Sequence, residues 1–298
     1  MTDNRPEVAI VIPTRNKAGR LRLTLACLAE QRDAPPVEVV LVDDGSTDGT
    51  RGVAAAADLP VRVVGGPGRG RAAARNAGAA AATAGHLVFV DDDILVGPDF
   101  VAAHLAAAGP DRFVHGPLRE LVTADRLVVE LAGASDTEIR ARRDALLDGS
   151  AGRRYRLFGN ALERTVEAMA LGWLPDVAPW LGSVGANVGL PAAAWRTAGG
   201  FDEGFGTTWG CEDLELGYRL HACGVRREFA VQAHGIHLTH RRPDRWEQHD
   251  VNLDRFRRLH PVPAVHHLDR LLGPDGDANR YVDSVRAADR ETVRGGRR

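Results

Sequence analysis

Short apolar runs alternate with helical patterns over the first hundred residues. The apolar runs lie at 8–12, 37–42, 61–64 and 86–90, and the helical patterns lie at 19–31, after 46–50, and at 71–82. Alternation of this kind predicts a parallel β-sheet. Because the runs are apolar throughout, helices are expected to cover both faces of the sheet. The pattern therefore predicts an α/β fold.

Beyond residue 98 the pattern becomes mainly helical. Helices are predicted around 98–108, 126–147, 155–171 and 212–223, with strands at 182–190 and 225–231. From residue 274 onward polar and charged residues dominate, so residues 274–298 are predicted to form a flexible tail. Residues 1–273 are expected to make a single domain.

Composition excludes several classes of protein. The net charge of −2 over 298 residues argues against a nucleic-acid binder that works through bulk electrostatics. No apolar run approaches the ~18 residues that span a bilayer, and the first seven residues are polar, so neither a signal peptide nor a membrane helix is expected. Peripheral membrane contact through Arg-rich segments stays open. Cys27, Cys211 and Cys223 form no CxxC pair, which fits a reducing cytoplasm better than a disulfide framework.

Acidic residues follow the last of the four apolar runs. Asp91, Asp92 and Asp93 stand where a buried strand should emerge into a loop. Three crowded carboxylates repel one another unless a cation neutralises them, and their oxygens suit Mg²⁺ or Mn²⁺. Solvated surface acids are the alternative. Ligands of open α/β sheets bind beyond the carboxyl ends of the strands, where residues 13–17, 43–44 and 65–71 should join this cluster.

Four segments of the amino-terminal half resemble family 2 inverting glycosyltransferases. They read Val-Ile-Pro-Thr-Arg-Asn at 11–16, Leu-Val-Asp-Asp-Gly-Ser-Thr-Asp-Gly-Thr at 41–50, Arg-Asn-Ala-Gly at 75–78 and Val-Asp-Asp-Asp at 90–93. The resemblance covers roughly residues 7–100. It implies a GT-A fold and a nucleotide-diphosphate sugar as donor, with residues 1–100 as the nucleotide-binding half and 101–273 as the acceptor and catalytic half.

A second resemblance lies downstream. Gly-Gly-Phe-Asp-Glu at 199–203 and Trp-Gly-Cys-Glu-Asp-Leu-Glu-Leu-Gly-Tyr-Arg-Leu at 209–220 are similar to the catalytic segment of galactosyltransferases and bacterial chondroitin-type polymerases. Those enzymes have Gly where this chain has Cys211. The resemblance implies Asp213 as the general base, held ionised at a helix N-terminus. It also implies that Glu212 receives sugar hydroxyls, while Trp209 and Gly210 contact the donor in a mobile stretch.

The alternative for Glu212 and Asp213 is structural, since acids in the first turn of a helix complement its dipole. For the metal, the resemblance implies Asp93 as ligand, with Asp91 reaching the ribose and Asp92 contributing mainly backbone. His240 falls at the matching position of a downstream metal-binding His, His237 is the second choice, and His234 is most simply a strand residue. Imidazole with carboxylate suits Mn²⁺ better than Mg²⁺.

Nucleotide recognition is assigned by the same resemblance. Pro13, Thr14 and Arg15 would lie against the base and phosphates, and Asp44 would accept a hydrogen bond from a pyrimidine imide, which favours UDP or dTDP. Asp43 could be only a turn former. Arg71 would approach the diphosphate with help from Lys17, because guanidinium forks suit phosphate oxygens. Arg69 is the alternative, and ordinary solvated arginine is the simpler reading of each.

The expected activity is metal-dependent, inverting transfer of a hexosyl group to an acceptor hydroxyl of a glycan, natural product or peptide. Trp180, Asn187, Trp209 and the helices between 126 and 171 are the acceptor-binding candidates. A retaining N-acetylgalactosaminyltransferase-like enzyme is the runner-up, although such enzymes favour Asn where this chain has Asp213. A catalytically silent nucleotide-sugar binding module is the non-enzymatic alternative. A dinucleotide fingerprint at 68–73 is disfavoured, since it follows the third strand rather than the first.

Overall fold

The computed structural model describes residues 6–240 and 242–295. Its strands are β1 Val8–Thr14, β2 Val37–Asp43, β3 Val61–Gly65, β4 His86–Val90, β5 Ile94–Val96, β6 Arg112–His115, β7 Leu118–Leu121, β8 Leu157–Phe158, β9 Asn187–Pro191, β10 Arg226–Phe229 and β11 Gly235–His237. The main sheet has the order β10-β6-β9-β4-β1-β2-β3, and a smaller sheet has the order β5-β11-β7-β8.

Helices cover both sheets. They are α1 Ala18–Leu28, α2 Thr50–Ala55, α3 Arg71–Ala81, α4 Phe100–Ala107, α5 Ala124–Glu130, α6 Asp136–Leu147, α7 Ala161–Ala170, α8 Ala192–Thr197, α9 Glu212–Ala222, α10 Arg245–Leu259, α11 Pro263–His266 and α12 Ala278–Gly295, with 3-10 turns at Glu203–Phe205 and Leu268–Arg270. None of these described helices is both long and apolar enough to cross a lipid bilayer.

The central strand β1 has helices on both of its faces, as its unbroken apolar run predicts. Val8, Ile10 and Ile12 pack into the cluster that contains the side chains of α1. Ala9 and Val11 face α3, which approaches closely because Gly78 has no Cβ: one built there would lie 2.4 Å from a Val11 methyl carbon. β1 pairs in parallel with β2 and β4, so the carboxyl ends of these three strands meet at one edge.

The fold confirms the predicted α/β class and differs in the middle of the chain. The helix predicted over 126–147 is two helices, because Ser135 and Glu138 form a capping box that starts α6 anew. Likewise, Asn160 caps α7, so 155–171 is a short strand followed by a helix. The strand predicted over 182–190 is confined to β9. The sequence pattern also missed β6, β7 and α10, which build walls of the site described below.

The carboxyl-terminal segment differs from the predicted flexible tail. α12 runs to Gly295, and Tyr281, Val282 and Val285 are buried in the cluster that contains α7 and α10 residues. Val285 lies four residues after Tyr281 and three after Val282, so the three side chains form one narrow apolar stripe that docks an otherwise polar helix. Residues 296–298 lie outside the described part of the chain.

Two buried histidines should make the protein sensitive to acid. His104 Nε2 lies 2.8 Å from Asn187 Oδ1, and its Nδ1 is buried without a partner among the described residues. Burial lowers the pKa of His104 to about 3 and that of His86 to about 4. Both are therefore neutral in the folded protein at neutral pH, whereas the unfolded chain protonates them as the pH falls below roughly 6.5.

Because the unfolded state binds more protons, stability is full above that pH and falls as the pH drops toward 4. We expect urea unfolding near pH 5 to give a free energy about 2 kcal/mol lower per histidine than near pH 7.5. His104→Gln keeps a donor for Asn187 and should flatten this dependence by about one histidine's share. An unchanged slope in that variant would contradict the assignment.

Candidate active site

Two adjoining cavities lie at the carboxyl edge of the main sheet. The first, here the sheet-edge cavity, is lined by Pro13, Thr14, Arg15, Lys17, Asp44, Gly70, Arg71, Ala74, Arg75, Asp91, Asp92, Asp93, Thr207 and Arg242. The second, here the helix cavity, is lined by residues that include Glu120, Asn160, Trp209, Gly210, Glu212, Asp213, His237, Arg245, Trp246 and His249. Arg71, Arg75 and Asp91 line both cavities, so the two spaces meet at these side chains.

Asp93 stands at the centre of a possible cation site. One of its oxygens lies 3.5 Å from His237 Nε2 and the other lies 3.3 Å from His240 Nδ1. A donor atom from each of these three residues lies within 4.8 Å of the others. His237 is oriented from its far side, where Nδ1 lies 2.9 Å from a Glu120 oxygen. Thus both predicted histidines reach Asp93, and Glu120, which the sequence pattern did not single out, holds one of them.

Positive side chains already gather at this carboxylate. Lys17 Nζ lies 3.2 Å from Asp93 and 3.1 Å from His240 Nδ1, and Arg242 Nε donates to His240 Nε2 over 2.9 Å. A carboxylate with two imidazoles is a donor set that suits Mn²⁺. The ammonium of Lys17 lies in the same neighbourhood and neutralises part of the Asp93 charge. The residues present therefore fit a divalent metal ion.

The neighbouring aspartates are electrostatically distinct. Burial opposes ionisation of Asp93, but His237, His240 and Lys17 hold its pKa well below the usual range. Burial and the charge of Asp93 raise the pKa of Asp92 to about 7. Asp92 also accepts a hydrogen bond of 2.6 Å from the Thr14 hydroxyl, so its side chain joins β1 to β4. Its side chain is thus engaged within the protein, and a contribution of Asp92 to the donor mainly through its backbone stays a prediction.

Asp44, the residue expected from the sequence to contact the nucleotide base, directly follows β2. Asp44 lines the sheet-edge cavity, and its Oδ1 accepts a 2.6 Å hydrogen bond from the backbone N–H of Gly68. Asp43 instead accepts from Ser46 N and from Arg51, so it is the turn former that the sequence allowed. Arg71 lines the cavity, whereas Arg69 is exposed and pairs with Glu203, which favours Arg71 of the two.

The chain turns sharply before α9. Gly210 and Cys211 both have positive φ, 108° and 68°, and Cys211 pays the strain of a left-handed conformation, about 1 kcal/mol, that glycine would avoid. This turn makes Glu212 and Asp213 the first two helical residues, as predicted. Both face the helix cavity.

Asp213 is held by two backbone N–H groups, Gly185 N to Oδ2 at 2.9 Å and Leu214 N to Oδ1 at 2.8 Å. Burial, followed by the charge of Glu212, raises the pKa of Asp213 to about 6 although Arg75 and these hydrogen bonds act the other way. The carboxyl group is therefore mostly ionised at neutral pH and has enough basicity to take a proton.

Arg75, like Glu120, has a position that the sequence did not predict. It is 2% exposed, its two terminal nitrogens lie 2.8 Å from Asp91 and 3.0 Å from Glu212, and it connects the two cavities. Arg71 stands beside it, 3.7 Å from the same Glu212 oxygen. The other Glu212 oxygen, Oε2, is buried with no hydrogen-bond partner among the described residues. The Arg-Asn-Ala-Gly segment was the available signal, but sequence alone assigned no role to its arginine.

An aromatic cluster forms part of the wall of the helix cavity. Trp209 and Trp246 meet edge to face with ring centroids 6.4 Å apart, and the Arg245 guanidinium lies 4.7 Å from the centroid of each. Trp209 N also donates to Gln248 Oε1. α10 therefore supports the turn at Gly210, which the sequence pattern did not anticipate.

Two acceptor candidates are corrected by their burial. Trp180 is packed between Tyr218 and Phe256, and Asn187 is fully buried and bonded to His104 and to the carbonyl of Ala233. Of the helices between 126 and 171, α5 and α6 pack against α1, and the start of α7 lines the helix cavity. Trp209 lines that cavity and stays an acceptor-binding candidate.

The sequence profile and the similar proteins that match this chain are all glycosyltransferases. Residues 9–120 match the sequence profile described as Glycosyl transferase family 2. Over 284 residues the chain is 37% identical to validoxylamine A glucosyltransferase of Streptomyces hygroscopicus subsp. limoneus, with 87% of this chain and 58% of that protein covered. The chain thus spans under two thirds of the length of this relative.

Solved structures share the fold. Mannosyltransferase PcManGT from Pyrobaculum calidifontis, in complex with GDP-Man and Mn²⁺, superposes with a TM-score of 0.54 at 20% identity, over 95% of this chain and 69% of that one. GalNAc-T7 with UDP, GalNAc and Mn²⁺ gives a TM-score of 0.58 at 14% identity, over 95% of this chain and 55% of that one. The fold is that of GT-A glycosyltransferases.

Proposed function

Because residues 9–120 match the family 2 glycosyltransferase profile, we propose that the chain transfers a hexosyl group from a nucleotide-diphosphate sugar to an acceptor hydroxyl with inversion at the anomeric carbon. One observation carries the proposal. The sheet-edge cavity, whose residues are suited to bind a nucleotide, meets the helix cavity, which holds the carboxylate of Asp213, at Arg71, Arg75 and Asp91. A donor that reaches across this junction would present its sugar to Asp213.

The donor is assigned to the sheet-edge cavity. Asp44 can accept from the imide N–H of uracil or thymine, and its match to the family residue that accepts from a pyrimidine imide favours UDP or dTDP. Arg71, Lys17 and Arg242, which line the same cavity, supply positive charge for the diphosphate. The similar structures hold either GDP-mannose or UDP, so Asp44 is the feature on which the pyrimidine assignment depends.

Asp93, His237 and His240 would hold the divalent ion, with Mn²⁺ favoured by the mixture of imidazole and carboxylate ligands. When bound, the ion supplies positive charge that stabilises the departing diphosphate. Glu120 keeps His237 turned toward Asp93, a type of orienting contact that strengthens metal sites.

Asp213 is assigned as the general base. Its oxygens are held by the Gly185 and Leu214 N–H groups, and a pKa of about 6 leaves it ionised at neutral pH. It accepts the proton of the acceptor hydroxyl while that oxygen forms a bond to the anomeric carbon and the diphosphate leaves. Glu212 Oε2, which has no hydrogen-bond partner in the described part of the chain, is assigned to accept a hydrogen bond from a sugar hydroxyl of the donor.

The acceptor is assigned to the helix cavity, with Trp246 as one wall. Aromatic faces bury the C–H surface of sugar-like rings, so Trp246→Ala should raise the KM for the acceptor about tenfold and leave the KM for the donor nearly unchanged. Trp173→Ala, an exposed tryptophan that does not line either cavity, is the matched control. An equal rise in both KM values would contradict this assignment.

A donor panel tests the function. Thermal shift with UDP-, dTDP- and GDP-sugars in the presence of Mn²⁺ should show stabilisation by a pyrimidine donor, since binding to the folded state raises Tm. NMR of the product's anomeric proton then decides the stereochemistry. Retention would favour the N-acetylgalactosaminyltransferase-like alternative, and tight binding without transfer or hydrolysis would favour a silent binding module.

A further inference from the structure

Arg75 carries a positive charge in a position where charge is costly. Its side chain is 2% exposed, and a buried cation that lacks partners is destabilised by several kcal/mol. Here the two terminal nitrogens divide between carboxylates of different elements, Asp91 after β4 and Glu212 at the start of α9. The Phe201 ring covers the guanidinium at 5.4 Å from its centroid. A buried ion-pair network thus joins these two positions.

The backbone around Arg75 is shaped for it. A Cβ at Gly185 would lie 2.5 Å from the Arg75 Cζ, so only glycine leaves room for the guanidinium there. The same Gly185 donates its N–H to Asp213 Oδ2. Gly185 therefore adjoins the Arg75 guanidinium and also holds Asp213, while Glu212 pairs with Arg75 directly.

We infer that Arg75 is a positioning residue that locks Asp91 on the donor side to Glu212 and thereby sets the placement and charge state of the Glu212–Asp213 pair toward the donor sugar. The inference rests on the proposed function, since it deepens the role given to Asp213. Arg75 acts through the carboxylates and not on the reacting atoms. A planar fork suits this task, because it can hold two carboxylates in fixed directions at once.

The charges that act on Asp213 are specific. The charges of Glu212 and Arg75 shift the pKa of Asp213, and the charge of Asp213 in turn raises the pKa of the Cys211 thiol. Across the helix cavity stand Asp91, Glu120, His237, Arg245 and His249. Within this set Glu212 raises the pKa of Asp213 and Arg75 lowers it. Loss of the Arg75 charge should therefore raise the pKa of Asp213 further, by about one unit or more for an opposite charge at this range.

Two substitutions separate charge from geometry. The assay follows turnover of UDP-glucose with Mn²⁺ and with water or an acceptor. In the profile of kcat against pH, Arg75→Gln should move the acidic limb upward by about one pH unit or more, and it should lower kcat about 100-fold. Arg75→Lys keeps the charge but has a single-point ammonium, so its acidic limb should stay near that of the wild type while kcat falls about tenfold. The KM for UDP-glucose should change less than kcat in both variants.

Arg143→Gln is the matched control. Arg143 is also 2% exposed and paired with an aspartate, but it lies outside both cavities. Its loss should lower the stability and leave the acidic limb in place. If Arg75→Gln behaves like Arg143→Gln, Arg75 is merely structural and the inference is wrong.

A second measurement does not depend on turnover. The ¹³C carboxyl resonance of Asp213, assigned by its absence in Asp213→Asn, should titrate at higher pH in Arg75→Gln than in the wild type. An unshifted titration overturns the inference even when the enzyme is active. Absence of UDP-glucose turnover by the wild type, with a shifted titration, would overturn the proposed donor and leave the role of Arg75 supported.

Discussion

Asp213→Asn is expected to lower kcat for sugar transfer by about 10²- to 10⁴-fold, the range that a positioned general base contributes. Asparagine has nearly the same shape and can still contact the Gly185 N–H through its oxygen, so the turn before α9 should survive. What it loses is the ability to take the acceptor's proton. The KM for the donor should change little, because the residues proposed to bind the nucleotide line the sheet-edge cavity.

Steady-state kinetics at a fixed saturating Mn²⁺ concentration measure this effect. Glu215→Gln is the control, since Glu215 is a buried carboxylate on the same helix that faces Arg219 and His260 instead of the helix cavity. That variant should lose stability and keep most of its kcat. Near-normal turnover by Asp213→Asn would refute the assignment of the base, and equal losses in both variants would point to helix disruption.

Asp93→Asn is expected to weaken Mn²⁺ binding by at least about 100-fold, because loss of even an orienting partner of a metal ligand costs 10- to 100-fold. Asp93 touches both candidate histidines and supplies the anionic charge of the set. Transfer activity should fall with it, and EDTA should abolish wild-type activity that added Mn²⁺ restores. Electron paramagnetic resonance of free Mn²⁺ measures the affinity without reference to turnover.

The same titration distinguishes the two histidines. If both imidazoles are ligands, His240→Gln and His237→Gln should each lower the Mn²⁺ affinity. If His237 only pairs with Asp93 and Glu120, His240→Gln alone should lower it. Asp99→Asn is the control for a lost carboxylate close in sequence, since Asp99 is partly exposed and outside the cluster. Full activity in EDTA would exclude the proposed metal dependence.

Much of the carboxyl edge of the main sheet was predictable, because local sequence and strand order together determine which residues lie there. Parallel strands end at one edge, so Pro13, Asp44 and Asp93 had to meet there once β1, β2 and β4 were recognised. The Trp-Gly-Cys-Glu-Asp segment likewise placed Glu212 and Asp213 at a helix start. These features depend on residues within one strand–loop–helix unit, whose periodicity and turn chemistry are visible along the chain.

Other features depend on contacts between distant segments. Arg75 lies on an Ala-rich helix, and nothing in its surroundings along the chain indicates that it meets Asp91 and Glu212. Glu120 reaches His237 only because β7 and β11 pair in parallel. The polar helix α12 docks through three buried side chains, a stripe too narrow to outweigh its charged composition in a sequence reading.

By itself, the sequence determined the α/β class, the strand ends that carry the nucleotide-type residues, and the carboxylate pair that opens α9. Only the tertiary structure decided that Asp93 and Asp213 line adjoining cavities joined by Arg75, that α10 supplies one wall of the helix cavity, and that Trp180 and Asn187 belong to the interior. The physical reason is that periodicity and capping act over a few residues, whereas side-chain burial and ion pairing are settled only when segments far apart in the chain pack together.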